Sequence, residues 1–228
     1  VLSQRLGMEL DAHPFDLYRA VRTLGACDYI LCEDTRVTGK LLAHYEIKTP
    51  LKRYDAHASG EKHAAILADL ESGAHIALVS DAGTPGVSDP GVLLIARARA
   101  AGVRVETIPG PSAVTAAVSI AGLAGNQFSF LGFVPQKKGR QTFFASLADY
   151  DHPVVCFEST HRVIKTLESL ATVLPPDWHV VVARELTKLH EEVLTGTTGE
   201  ILATLTLAPV KQKGEFVIIV APPAAAVY

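Results

Sequence analysis

Cysteine is scarce. The 228 residues hold three, Cys27, Cys32 and Cys156, with no Cys-x-x-Cys pair. An odd, scattered set excludes a disulfide scaffold and reads as core thiols of a reducing, cytoplasmic compartment. Long apolar runs are also lacking. No stretch reaches the roughly 18 residues of a membrane span, and no secretory apolar region opens the chain. Excess charge is missing: 21 Lys and Arg against 24 Asp and Glu leave a formal net charge of −3. The chain is therefore not a globally basic nucleic-acid binder, and any RNA contact must come from a local patch. Common site signatures are absent too. There is neither a Gly-rich loop closed by Gly-Lys-Ser/Thr nor a Gly-x-Gly-x-x-Gly. His190-Glu191-Glu192 is not His-Glu-x-x-His, and the 9 histidines show no paired ligand spacing, so no metal is expected. Neither Ser80 nor Ser112 lies in Gly-x-Ser-x-Gly. Ser112 reads as a helix N-cap.

Apolar residues make up 48% of the chain, enough for a full core in one large domain or two small ones. The most informative stretch is Leu78–Gly91. The apolar run Ile76-Ala77-Leu78-Val79 ends in a loop holding Gly83, Gly86, Gly91, Pro85, Pro90, Asp81 and Asp89. That is how a buried parallel strand meets a binding loop, since ligands gather at the carboxyl ends of strands in open α/β sheets. The loop carries no Lys or Arg. It is a poor triphosphate cradle and suits a neutral or partly cationic ligand held through backbone groups. S-adenosylmethionine, with its sulfonium and ammonium, meets that description.

The chain opens on Val1 rather than Met, which reads as a start inside a strand or after a short leader. Val1-Leu2-Ser3 is the expected end of a first strand, with Gly7 in its turn. Helices are expected over Phe15–Leu24, around Leu41, Leu42 and Tyr45, and over Glu61–Ser72, Val92–Ala101 and Ala113–Ala121. Strands are expected at Tyr29–Cys32, Leu51–Tyr54, Ile76–Val79 and Val103–Ile108. This alternation predicts a doubly wound α/β domain over residues 1–125. A second α/β domain, residues 126–228, opens on the apolar run Phe128–Val134 and has strands at Val154–Phe157, His179–Ala183 and Val217–Val220. Its helices are Phe143–Leu147, Val163–Leu174 and Gly199–Leu205, with a turn at Thr195-Gly196-Thr197.

Three clusters follow expected strands: Glu33-Asp34-Thr35-Arg36, Glu158-Ser159-Thr160-His161-Arg162 and Arg184-Glu185-Leu186-Thr187-Lys188. Together they suggest a mixed-charge cleft between the two domains. Arg36, Arg162, Arg184 and Lys188 suit phosphates. Lys137, Lys138 and Arg140, on a loose basic arm, make a local RNA surface.

Cys32–Leu42, Ser80–Gly91, Pro109–Ala113, Phe130-Leu131-Gly132-Phe133, Phe157-Glu158-Ser159 and Lys213-Gly214-Glu215-Phe216 together resemble the cytidine 2′-O-methyltransferase branch of the tetrapyrrole methylase superfamily. The resemblance implies two α/β domains with S-adenosylmethionine held between them, a homodimer, and 16S rRNA of the small ribosomal subunit as substrate. It places the cofactor against Ser80, Asp81, Ala82, Gly83, Thr84, Pro85, Pro111, Ser112, Ala113 and Phe157, with Arg184 and Gly214. The first loop departs from the family: Ser3–Met8 shares little with Ala-Thr-Pro-Ile-Gly-Asn beyond Gly7, and an apparent insertion near Ala12–Phe15 follows. A ribose hydroxyl is a weak acid, so a general base helps its methylation. Asp34, Glu158 and Glu185 are the alternatives, Asp34 slightly preferred because Arg36 beside it can anchor a phosphate. A tetrapyrrole methyltransferase and a non-catalytic RNA-binding module remain rival readings.

Overall fold

The computed structural model describes residues 14–123 and 126–225, so the expected strand at Val1–Ser3 and the loop at Gly7 lie outside it. The chain divides into two compact units, Val1–Ser112 and Ala113–Tyr228.

In the first unit, α1 (Pro14–Ala26), β1 (Tyr29–Cys32), α2 (Thr35–His44), β2 (Leu51–Arg53), α3 (Gly60–Glu71), β3 (Ile76–Val79) and α4 (Val92–Ala100) alternate as expected. Among the described residues the three strands form a parallel sheet in the order β2-β1-β3. Central β1 is buried on both faces. Side chains alternate across a strand, so Ile30 packs with Ala20 and Leu24 of α1 and Leu41 and Leu42 of α2. Tyr29 and Leu31 point the other way, to Ile66 of α3 and Leu94 of α4. Helices therefore cover both faces, as a parallel sheet requires.

The expected strand at Val103–Ile108 is not assigned to a sheet among the described residues. Its start is captured by the end of α4, where the Val103 and Gly102 amides donate to the Ala98 and Arg99 carbonyls. The Thr107 carbonyl accepts from the Arg19 guanidinium. A groove of about 1070 Å³ lined by both Ile76–Val79 and Val103–Ile108 runs along β3. The apolar–polar alternation of Val103–Ile108 is that of a strand, but it enters neither of the two sheets formed by the described residues.

The second unit begins with α5 (Ala113–Ile120) and continues β4 (Ser129–Phe133), α6 (Arg140–Leu147), β5 (Val154–Ser159), α7 (Val163–Val173), β6 (His179–Arg184), β7 (Glu192–Gly196), α8 (Thr198–Leu207) and β8 (Glu215–Ala221). The sheet order is β4-β5-β8-β6-β7, parallel only between β4 and β5. The division falls at Ser112–Ala113 rather than at 125–126. The reason is packing: Val114, Ala117 and Ala121 bury against Val155, Val181, Ala183, Val217 and Ile219. The other face of the sheet lies under Phe144, Leu147, Leu167, Leu170, Ile201 and Leu205. Thr195-Gly196, expected as a turn, closes β7 instead, which pairs with β6 along its length. The edge strand's mixed composition hid it. Thr197 then caps α8 in a reciprocal capping box with Glu200.

No helix among the described residues is long and apolar enough to cross a membrane. Leu167 is fully buried in the larger core, whereas Leu207 is 85% exposed. Leu167→Ala should lower the unfolding free energy by about 2–5 kcal/mol, and Leu207→Ala by less than about 0.5 kcal/mol. Urea denaturation of both variants checks the assignment of the core.

Candidate functional site

The first group of site residues is assembled by the register of β1 and β3. Cys32 lies opposite Val79, so the residues after each strand emerge side by side. The Asp34 amide points to Asp81 Oδ1 at 3.4 Å, and the Asp81 amide to Glu33 Oε1 at 3.5 Å. Asp34 also N-caps α2, accepting from the Arg36 amide at 2.8 Å. Its carboxylate is gripped a second time by the Arg36 side chain, Nε to Oδ1 at 3.0 Å and Nη2 to Oδ2 at 2.6 Å. The Arg36 side-chain and amide hydrogen bonds hold the Asp34 carboxyl well below the usual carboxylate range. The Arg36 side chain is 87% exposed.

The Ser80–Gly91 loop folds on itself. The Val87 amide donates to the Thr84 carbonyl, closing a turn over Pro85 and Gly86. Thr84 Oγ1 reaches the Pro111 carbonyl at 3.5 Å, so the two expected cofactor segments of this unit touch. Ser80 is buried, and its hydroxyl donates to the Gly83 carbonyl at 3.4 Å. Asp89 was absent from the sequence-based site. Burial, reinforced by Glu33 and Asp81, pushes its carboxyl up to about 6, although a hydrogen bond from Ser80 opposes the shift. The two Asp of the loop were visible in sequence and both are half-buried, but the desolvation and neighbouring carboxylates that act on Asp89 are set by tertiary structure.

At the strand ends of the second unit, most of the expected site residues are engaged by the protein itself. Glu158 is buried. It accepts from the Ser159 amide at 2.6 Å and Thr166 Oγ1 at 2.6 Å, pairs with Arg162 at 2.8 Å, and lies 3.9 Å from Arg140. Arg162 further donates to the Val134 carbonyl, and Arg140 to the Pro135 carbonyl and Thr166 Oγ1. These two arginines thus anchor the basic arm from inside. Lys137 and Lys138 are exposed, and their ammonium groups make no hydrogen bond or ion pair among the described residues.

Arg184, 8% exposed, donates to the Lys213, His190 and Val210 carbonyls at 2.7, 3.0 and 3.4 Å. It clamps two loops at the end of β6. Glu185 accepts from the Glu215 amide at 2.9 Å and from Lys188, which also pairs with Glu215 at 2.8 Å. Gly214 has φ +118, and a Cβ there would meet Glu185 Cγ at 2.5 Å. Its amide and carbonyl are both taken by Thr160 Oγ1. Phe157 lies on the α5 face of the sheet, edge-to-face with Phe130 and Phe133.

A carboxyl with a raised folded-state pKa binds its proton more tightly when folded, so stability falls as pH climbs from about 4 through about 6. Asp89→Asn should therefore raise the melting temperature at pH 7–8, and the advantage should vanish below about pH 4. Melting curves across pH check this, and a pH-independent difference would refute it.

Comparison with known proteins matches this arrangement to the family described as Tetrapyrrole (Corrin/Porphyrin) Methylases over residues 18–202. A relative from Xylella fastidiosa (strain Temecula1), named ribosomal RNA small subunit methyltransferase I, is 45% identical over 203 residues, covering 89% of this chain and 74% of its own. One of the same name from Escherichia coli O157:H7 is 43% identical, covering 89% and 71%. The fold is similar to that of a cobalamin-biosynthetic cobalt precorrin-4 methyltransferase, with TM-score 0.64, 18% identity and coverage of 89% and 87%. It is also similar to a Thermus thermophilus uroporphyrin-III C-methyl transferase solved with S-adenyl homocysteine, with TM-score 0.58, 16% identity and 91% of each chain covered. With its α/β units, its acidic strand-end loop and these relatives, the chain belongs to the tetrapyrrole methylase family, alongside the members named ribosomal RNA small subunit methyltransferase I.

Proposed function

We propose that this protein transfers a methyl group from S-adenosylmethionine to RNA of the small ribosomal subunit, at the 2′-oxygen of a cytidine in the decoding region of 16S rRNA. The observation that carries the cofactor half is the loop after β3. It holds Asp81 and Asp89 and no cation from Ser80 to Gly91. Such a donor set fits a ligand bearing sulfonium and ammonium charges and repels a polyphosphate. The relatives' names support the RNA half, and the family resemblance supports the cytidine 2′-oxygen and a cytoplasmic homodimer.

The cofactor, when bound, supplies an electrophilic methyl. Ser80–Pro85, with Pro111 touching Thr84, would hold it. Holding the acceptor oxygen in attack geometry is the main contribution of such a site. Arg184 and Gly214 act by shaping the loops, because their donors are already used inside the protein. Arg36, oriented by Asp34 and open to solvent, takes an RNA phosphate.

The carboxylates differ sharply as proton acceptors. Glu158 is buried against Arg162, Glu185 is paired with Lys188, and Asp34 is held ionised by Arg36. Asp89, pushed up to about 6, is the carboxylate whose proton affinity suits a general base near neutral pH.

Incubation with labelled S-adenosylmethionine and unmethylated 30S subunits should place label on one cytidine ribose. Label on a tetrapyrrole acceptor instead, or RNA binding without transfer, overturns the reading. In the wild type, kcat/KM should fall below about pH 6. Asp89→Asn should lower kcat roughly 100-fold or more and abolish that limb, and a limb that persists in the variant removes Asp89 from the role. Asp81→Ala should weaken cofactor binding in calorimetry with little change in RNA affinity.

A further inference from the structure

Phe133 closes β4 and is 53% exposed, an unusual state for a large aromatic in a strand beside the core. Its position follows from a defect in the ladder. Phe130 pairs with Val155 but Phe133 pairs with Phe157, so the register of β4 on β5 slips between them. Gly132, within the slip, has φ +70, a conformation that glycine adopts at little cost. In a regular strand, residues three apart face opposite sides of the sheet. The bulge cancels that alternation. Phe130 and Phe133 both meet the Phe157 ring, with centroids 4.9 and 5.3 Å away. Leu131 and Val134 turn to the opposite face and its core. Bulges re-aim side chains beside functional sites, at the expense of ladder hydrogen bonds.

The result is an aromatic ring packed on Phe157, itself packed on Phe130, with half its surface in water. The chain then runs Val134, buried, into Gln136-Lys137-Lys138, exposed. Lys138 Cα lies at most about 18 Å from Phe133 Cα along the chain. The path between them is pinned, because Arg162 holds the Val134 carbonyl and Arg140 the Pro135 carbonyl. A fixed aromatic platform followed by two free ammonium groups matches a single-stranded polynucleotide, which offers a π-face and phosphates in succession. An apolar peptide would leave the lysines unmatched.

We propose that Phe133 is a stacking platform for an unpaired nucleobase of the RNA substrate, with Lys137 and Lys138 taking adjoining phosphates. The inference rests on the RNA reading above and deepens it by naming where the strand is gripped. Phe133 is a substrate-binding residue, outside the proton-transfer chemistry.

The test uses the full chain and 30S subunits. Phe133→Ala and Phe133→Leu should raise the Kd and KM for subunits by roughly 10- to 100-fold. Phe133→Tyr should restore wild-type values. In all three, kcat at saturating subunits and cofactor affinity by calorimetry should match wild type. Lys137→Gln with Lys138→Gln should flatten the salt dependence of log Kd by about 0.7 per lysine. Wild-type subunit affinity in Phe133→Ala overturns the inference alone. So does lost cofactor affinity, which would make the ring a cofactor contact, or rescue by Phe133→Leu, which would make it mere apolar filling. Wild-type protein that binds no subunits overturns the RNA reading itself, and this inference with it.

Discussion

The second unit depends on one buried charge. A carboxylate inside a core is costly unless it is paired and its oxygens are hydrogen-bonded. Glu158 meets that requirement with Arg162, Thr166 and the Ser159 amide, and with Arg140 close by. The arginines do not arrive alone. Arg140 opens α6 and Arg162 precedes α7, and each reaches on to a carbonyl of the segment after β4. Satisfying Glu158 therefore fixes the segment that carries the free lysines. Replacing the acid by an apolar residue of similar size would leave two half-buried guanidinium groups without their shared anion. The charge thus connects core packing to the placement of a surface.

The first unit solves a different problem. Its strand-end loop gathers Glu33, Asp81 and Asp89 without a balancing cation inside the loop. Mutual repulsion and burial raise the proton affinity of Asp89, so the folded protein near neutral pH holds a carboxylate at some cost to its own stability. Proteins commonly keep such tension where a ligand relieves it. Asp34, one strand away, shows the opposite choice, since Arg36 removes its charge from the balance. Two carboxylates after adjacent strands thus differ because one helix start supplies an arginine and the other loop does not.

Much of the fold was legible in sequence because its signals are local. Parallel strands read as apolar runs ending in turn residues, as at Tyr29–Cys32 and Ile76–Val79, and helix periodicity marked α2, α3, α4 and α7. The misreadings involve properties that local pattern does not carry. Val103–Ile108 has strand composition but joins neither sheet of the described residues. The α5 helix follows the first unit in sequence yet buries its alanine and valine face on the second sheet. The edge strand β7 is too mixed in composition to stand out. Site residues were legible in position more than in role. Arg140, Arg162 and Arg184 sit where polar clusters follow strands, as phosphate-binding arginines would, but their donors turn inward to carbonyls. Sequence shows that an arginine is present, and only the tertiary structure shows which way it points.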